Sequence, residues 1–105
     1  GDKRYYLRSR MSTLANAVRL LEQRRDDALQ HEQYARAGGI DECISRLRAK
    51  EEPLQELLIM RLNALAKKDY AAAQHAKDRF DLSLDAALDV PNINDYITPG
   101  EVKKI

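Results

Sequence analysis

From Leu7 onward apolar residues recur at steps of four and three: Leu7, Met11, Leu14, Val18, Leu21 and, past one interruption at Arg25, Ala28. This is the seam of an amphipathic helix, widened by Leu20 and Leu29 beyond a strict coiled-coil stripe. The spacing predicts a helix over about residues 5–31. Tyr34, Ala37, Ile40, Ile44 and Leu47 then mark one face of a second helix over about 33–50. Their phase passes through Gly38 and Gly39 without a shift, so the helix is expected to continue across them, although each glycine costs about 1 kcal/mol relative to alanine. Two small residues there would admit a second helix at close range.

Pro53, behind Glu51 and Glu52, reads as part of a first helical turn, where proline and acids are both favoured. The heptad phase of Ile40, Ile44 and Leu47 nevertheless runs on into Leu54 and Leu58. Two arrangements stay open: separate helices on either side of Pro53, or one long helix bent at it. The apolar series continues through Leu57, Leu62 and Leu65 to about Ala66. Asp69 is placed to cap a fourth helix from Tyr70 to about Leu88, burying Ala73, Ala76, Phe80, Leu84 and Leu88. The closing segment DVPNINDYITPGEVKKI is rich in turn formers and predicts a loop or extended tail over 89–105, with Val90, Ile93, Tyr96 and Ile97 available to fold back.

One unit is written twice at an offset of 36 residues. Leu21 matches Leu57, Arg25 matches Arg61, Ala28 matches Ala64 and Leu29 matches Leu65; Tyr34 then matches Tyr70, Ala37 matches Ala73 and Ile44 matches Phe80. Each copy is a leucine-bearing helix, a short charged turn, a tyrosine, an alanine three residues on and a second helix. The fold class expected is therefore all-α, two tandem antiparallel helical hairpins within a domain at 1–88. The first repeat covers about 14–50 and the second about 51–88. Leu29, Tyr34, Ala37, Leu65, Tyr70 and Ala73 define the hairpins, the tyrosine closing the open end and the alanine letting the backbones approach. One hairpin buries too little surface to stand alone, and stacking two lets each cover the other.

The stretches LEQRRDDALQHEQY with AGGIDECISRL, then LNALAKKDYAAAQHAKDRF, cover Leu21 to Phe80 and resemble the UVR motif. That hairpin serves as a protein-docking element in repair proteins, Clp-type chaperones, kinase activators and plastid stress proteins. The tandem form with this offset more closely resembles the coiled-coil segment of the centrosomal protein of 104 kDa family. The resemblance implies a non-catalytic scaffold segment of a centriolar or ciliary-tip microtubule-associated protein. It implies protein partners at those sites, location in the cytoplasm and cytoskeleton at centriole, basal body or cilium, and no cofactor. The alternative is a UVR-type adaptor of a chaperone, protease, plastid stress or DNA-repair system. Gly38-Gly39 and the tail from Asp89 depart from the family pattern.

Charge and chemistry narrow the function classes. Eighteen basic and seventeen acidic residues nearly cancel, without the basic excess of a nucleic-acid binder. No apolar run approaches the ~20 residues that cross a bilayer. Cys43 stands alone, which fits a reducing compartment. His31, His75 and Cys43 do not make the recognisable four-ligand spacing of a zinc site. The serines lack a base and orienting group, so neither an enzyme nor a small-molecule site is expected. Arg8, Arg19, Arg24, Arg36 and Lys77 are candidate partner-binding residues, a homodimer through the long seam is open, and Thr98-Pro99 is a candidate proline-directed phosphorylation site.

Overall fold

The computed structural model describes residues 2–103, so Gly1, Lys104 and Ile105, the last two in the predicted tail, lie outside the described residues. The helices are α1 (Asp2–Arg10), α2 (Ser12–Gln30), α3 (Tyr34–Arg48), α4 (Glu51–Ala66), α5 (Tyr70–Leu88) and α6 (Pro99–Lys103), with a 3₁₀ turn at Ile93–Asp95. The chain is all-α.

The seam predicted over 5–31 folds as α1 and α2. Met11, at φ −90° and ψ 1°, interrupts the helical geometry between them. The backbone ladder still bridges it, Met11 N–H donating to Leu7 O at 3.0 Å and Ala15 N–H to Met11 O at 3.0 Å. The Ser12 hydroxyl donates to Ser9 O at 2.8 Å, and such back-bonding commonly bends a helix.

α2 packs against α3 and α4 against α5, giving the two antiparallel hairpins. Between the hairpins, α3 passes into α4 through Ala49 and Lys50, both of which keep right-handed helical angles. The result is one bent helical path from Tyr34 to Ala66. Pro53 sits in the first turn of α4, where its missing N–H removes no bond made by that helix. Its ring crowds the carbonyl four residues back, at Ala49, so the bend falls there rather than at the proline itself. A straight helix of this length would span about 50 Å, and the molecule measures 54 × 27 × 22 Å. The two hairpin turns consequently lie at opposite ends.

The hairpins are not stacked face on face. They meet around the joint in one continuous core, to which α2 contributes Leu14, Ala17, Val18 and Leu21, α3 Ile40, Cys43, Ile44 and Leu47, α4 Leu54, Leu57 and Leu58, and α5 Phe80 and Ala87. Leu14, Leu21, Ile40, Leu47, Leu54 and Leu58 are fully buried, and truncating any of them to alanine is expected to cost about 2–5 kcal/mol. α1 leans on α4, with the Arg10 and Arg61 guanidiniums over the Tyr6 ring at 5.3 and 5.6 Å from its centroid.

The tail, expected as a loop or extended segment, is in its described part folded back, and it contains the 3₁₀ turn and the helix α6. Val90, Ile93, Ile97 and Val102 join the core and α6 packs on α2. Thr98-Pro99-Gly100-Glu101 is a capping box. The Thr98 hydroxyl accepts from Glu101 N–H at 3.2 Å, and Thr98 N–H donates to the Glu101 carboxylate at 2.9 Å. α3 runs unbroken through Gly38 and Gly39, and the close approach that Gly39 permits is by the tail rather than by a helix. A Cβ there would overlap the Tyr96 hydroxyl, whereas one on Gly38 would meet nothing within 4 Å.

Candidate docking surface

Sequence places three residues between the helices of each hairpin, and the two turns close with the same bonds. In the first, His31 N–H donates to Asp27 O at 3.2 Å, Glu32 N–H to Leu29 O at 3.1 Å and Gln33 N–H to Ala28 O at 2.8 Å. In the second, Lys67 N–H donates to Asn63 O at 3.2 Å, Lys68 N–H to Leu65 O at 3.0 Å and Asp69 N–H to Ala64 O at 2.8 Å. Both are Schellman closures, which need a left-handed residue after the helix end. Glu32 and Lys68 supply it at φ 57° and 60°. Neither is the glycine or asparagine that adopts this conformation most cheaply.

Beneath each turn the helices converge on alanines: Ala28 and Ala37 in the first hairpin, Ala64 and Ala73 in the second, all buried. A neck this narrow has no room for a ring. Tyr34 and Tyr70, at the first positions of α3 and α5, project toward the helix N-terminus and so out over the turn. They are 66% and 65% exposed, so they do not plug the open ends as the sequence suggested. Leu29 and Leu65 lie one residue round from the alanine seam and are 46% and 44% exposed. Each end of the rod thus presents the same Leu–Tyr pair, an apolar surface that the fold does not use. The turns differ at the cap. The Asp69 carboxylate accepts from Ala72 N–H at 3.1 Å, while Gln33 makes no such bond.

The basic residues singled out in the sequence do not form one face. Arg24 pairs with Glu101 of α6, and the Arg36 guanidinium lies 5.1 Å from the Tyr96 ring centroid, so both tie the tail to the hairpin. Lys77 pairs with Asp81 at 2.9 Å along its own helix, and Arg19 reaches Asn16 at 3.4 Å. Arg8 lines a groove of about 710 Å³ between α1, α2 and α4 whose floor is Leu7, Met11 and Leu14 and whose rim includes Lys3, Arg4 and Glu51. The hydrogen bond from Thr98, its capping role and the cation–π contact of Tyr96 escaped the sequence reading. The Thr-x-x-Glu spacing of a capping box was the available signal.

The titratable groups follow this packing. Glu101 is held below the usual carboxylate range, first by the Thr98 backbone N–H and also by the nearby Arg24. Burial, and secondarily Glu42, pushes the Cys43 thiol up; its Sγ lies 3.7 Å from Pro91 O, under the tail. The Asp41 carboxylate, 3.0 Å away, raises the Arg25 guanidinium further. His31 Nδ1 lies 2.8 Å from Asp27 O on the exposed first turn, while His75 is exposed on α5. Among the described residues no three His, Cys, Asp or Glu side chains converge to hold a metal, and no helix is long and apolar enough to cross a membrane.

No family model, curated protein or solved structure matches the chain.

Proposed function

We propose that the chain is a non-catalytic docking segment, a bent rod whose two ends offer equivalent Leu–Tyr surfaces to protein partners. The observation that supports this reading is the duplication itself. Two turns 36 residues apart keep the same bonds, a left-handed residue at the same position and the same outward leucine and tyrosine. Large apolar side chains left in water at matched positions fit recognition better than core packing. With the resemblance to the centrosomal protein of 104 kDa family, the partners are cytoskeletal, at the centriole or ciliary tip, and the segment is a scaffold.

The test is localisation of a tagged chain in ciliated cells, beside a variant carrying Leu29→Ser, Tyr34→Ser, Leu65→Ser and Tyr70→Ser. The wild type is expected to concentrate at centrioles or ciliary tips. The variant, keeping its helical circular dichroism, is expected to be diffuse. A variant that still concentrates there counts against the turns as the docking surface, and a diffuse wild type counts against the cytoskeletal assignment.

A further inference from the structure

The two ends share a shape and an apolar pair but carry opposite charge. Over residues 26–33 the first end has Asp26, Asp27 and Glu32 and neither lysine nor arginine. Over the equivalent 62–69 the second has Lys67 and Lys68, and its one carboxylate, Asp69, is occupied in capping α5. At the apex Glu32 and Lys68 hold the same left-handed backbone position. Among the described residues Glu32, Lys67 and Lys68 make no intramolecular ion pair, and Asp27 meets only the exposed His31, at 3.6 Å.

We propose that the rod associates with further copies of itself end to end, the first turn of one against the second turn of the next. Leu29 and Tyr34 pack on Leu65 and Tyr70, while Glu32 and Asp27 face Lys68 and Lys67. Opposite charge selects this pairing over two like ends, where the same carboxylates or the same lysines would meet. Because the joined surfaces differ and lie at opposite ends, each contact leaves one of each kind free, and the assembly grows as an open chain instead of closing as a dimer. The molecule is 27 by 22 Å in cross-section, so an end is smaller than the ~800 Å² per partner of a standard stable interface. Association is accordingly weak, dependent on concentration, and screened by salt because the charges are exposed. The proposal rests on the docking reading of the turns and names a second copy as one occupant.

Sedimentation velocity from micromolar to millimolar concentration tests it. In low salt the weight-average mass is expected to climb continuously past the dimer, and to fall back toward the monomer as salt is added. Glu32→Lys, which puts a lysine at both apices, and Lys68→Glu, which puts a glutamate at both, each set like charges against one another at the centre of the contact, and each is expected to stay close to the monomer alone. Mixed in equal amounts, or combined in one chain, they are expected to associate again. Both substitutions place in each turn a residue type that the other turn already holds in the same conformation, so the fold is retained, and circular dichroism checks this. Growth that stops at the dimer, or single reversals that associate like the wild type, would overturn the proposal. A monomer throughout also overturns it, and leaves the docking of a foreign partner to the localisation experiment.

Discussion

Gly38 and Gly39 are neighbours in one helix, yet alanine should have different consequences at each. A Cβ on Gly38 enters open space. Gly38→Ala therefore gains the full helix-propensity difference, about 1 kcal/mol, or about 4 °C in melting temperature for a chain of this length. A Cβ on Gly39 collides with the Tyr96 hydroxyl and lies 3.4 Å from the ring carbon that bears it. The ring must move off α3, giving up its place beneath Arg36, a contact worth about 0.5–1 kcal/mol at an exposed site, together with part of its burial. The propensity gain is then largely or wholly cancelled, so the two variants should differ by about 1 kcal/mol or more. Tyr96→Phe removes the colliding oxygen and leaves the ring carbon at a tolerable distance. In that background Gly39→Ala should recover most of its gain, while Gly38→Ala should be unaffected by the residue at 96. Urea unfolding followed by circular dichroism gives the stabilities of the two backgrounds and of each alanine variant in both. Labelling of Cys43, which the tail covers at Pro91, reports independently on tail release and should accelerate in Gly39→Ala alone. Equal gains from both alanines, with no coupling to Tyr96, would refute the close-approach argument.

The remaining predictions concern the turns and the tail. Glu32→Gly and Lys68→Gly should each stabilise the fold by about 1 kcal/mol, because the left-handed conformation costs an ordinary side chain that much; thermal melts of the pair should shift upward by similar amounts. Asp69→Ala should cost about 1 kcal/mol in urea unfolding, whereas Gln33→Ala, with no cap bond to lose, should be near neutral. Since folding lowers the Glu101 pKa, the ion pair and capping box contribute fully above the ordinary carboxylate value. They are lost as pH falls through the depressed one. Docking of the tail should weaken below about pH 4, seen as faster Cys43 labelling by an acid-tolerant thiol reagent, and Glu101→Gln should remove that pH dependence.

The hairpins were legible because their signal is local. The four-and-three spacing, the alanines and the 36-residue offset depend on neighbours along the chain, and the helices stand within a few residues of where the pattern put them. The joint was half legible. Phase continuity from Leu47 into Leu54 argued for one rod, while Pro53 drew attention to itself although the carbonyl it crowds belongs to Ala49. The outward tyrosines were misread because a helix-start residue leans over its turn, a matter of Cβ direction that apolar spacing does not encode. The ties of Arg24 to Glu101 and of Arg36 to Tyr96 join residues 77 and 60 positions apart in the sequence, and no local pattern announces pairs so distant. The Leu–Tyr pairs were found as motif letters, but their exposure depends on how narrow the alanine necks turned out to be.

The bent helical path from Tyr34 to Ala66 makes the molecule a ruler. Whatever is held at one turn is kept at a set span from whatever is held at the other, because α3 and α4, joined through two residues that keep helical angles, connect them directly. Tension between the two would be borne first by that spine, leaving the side-by-side packing of the hairpins largely unloaded. Ala49 and Lys50, where the spine is bent, are the place at which it would begin to give.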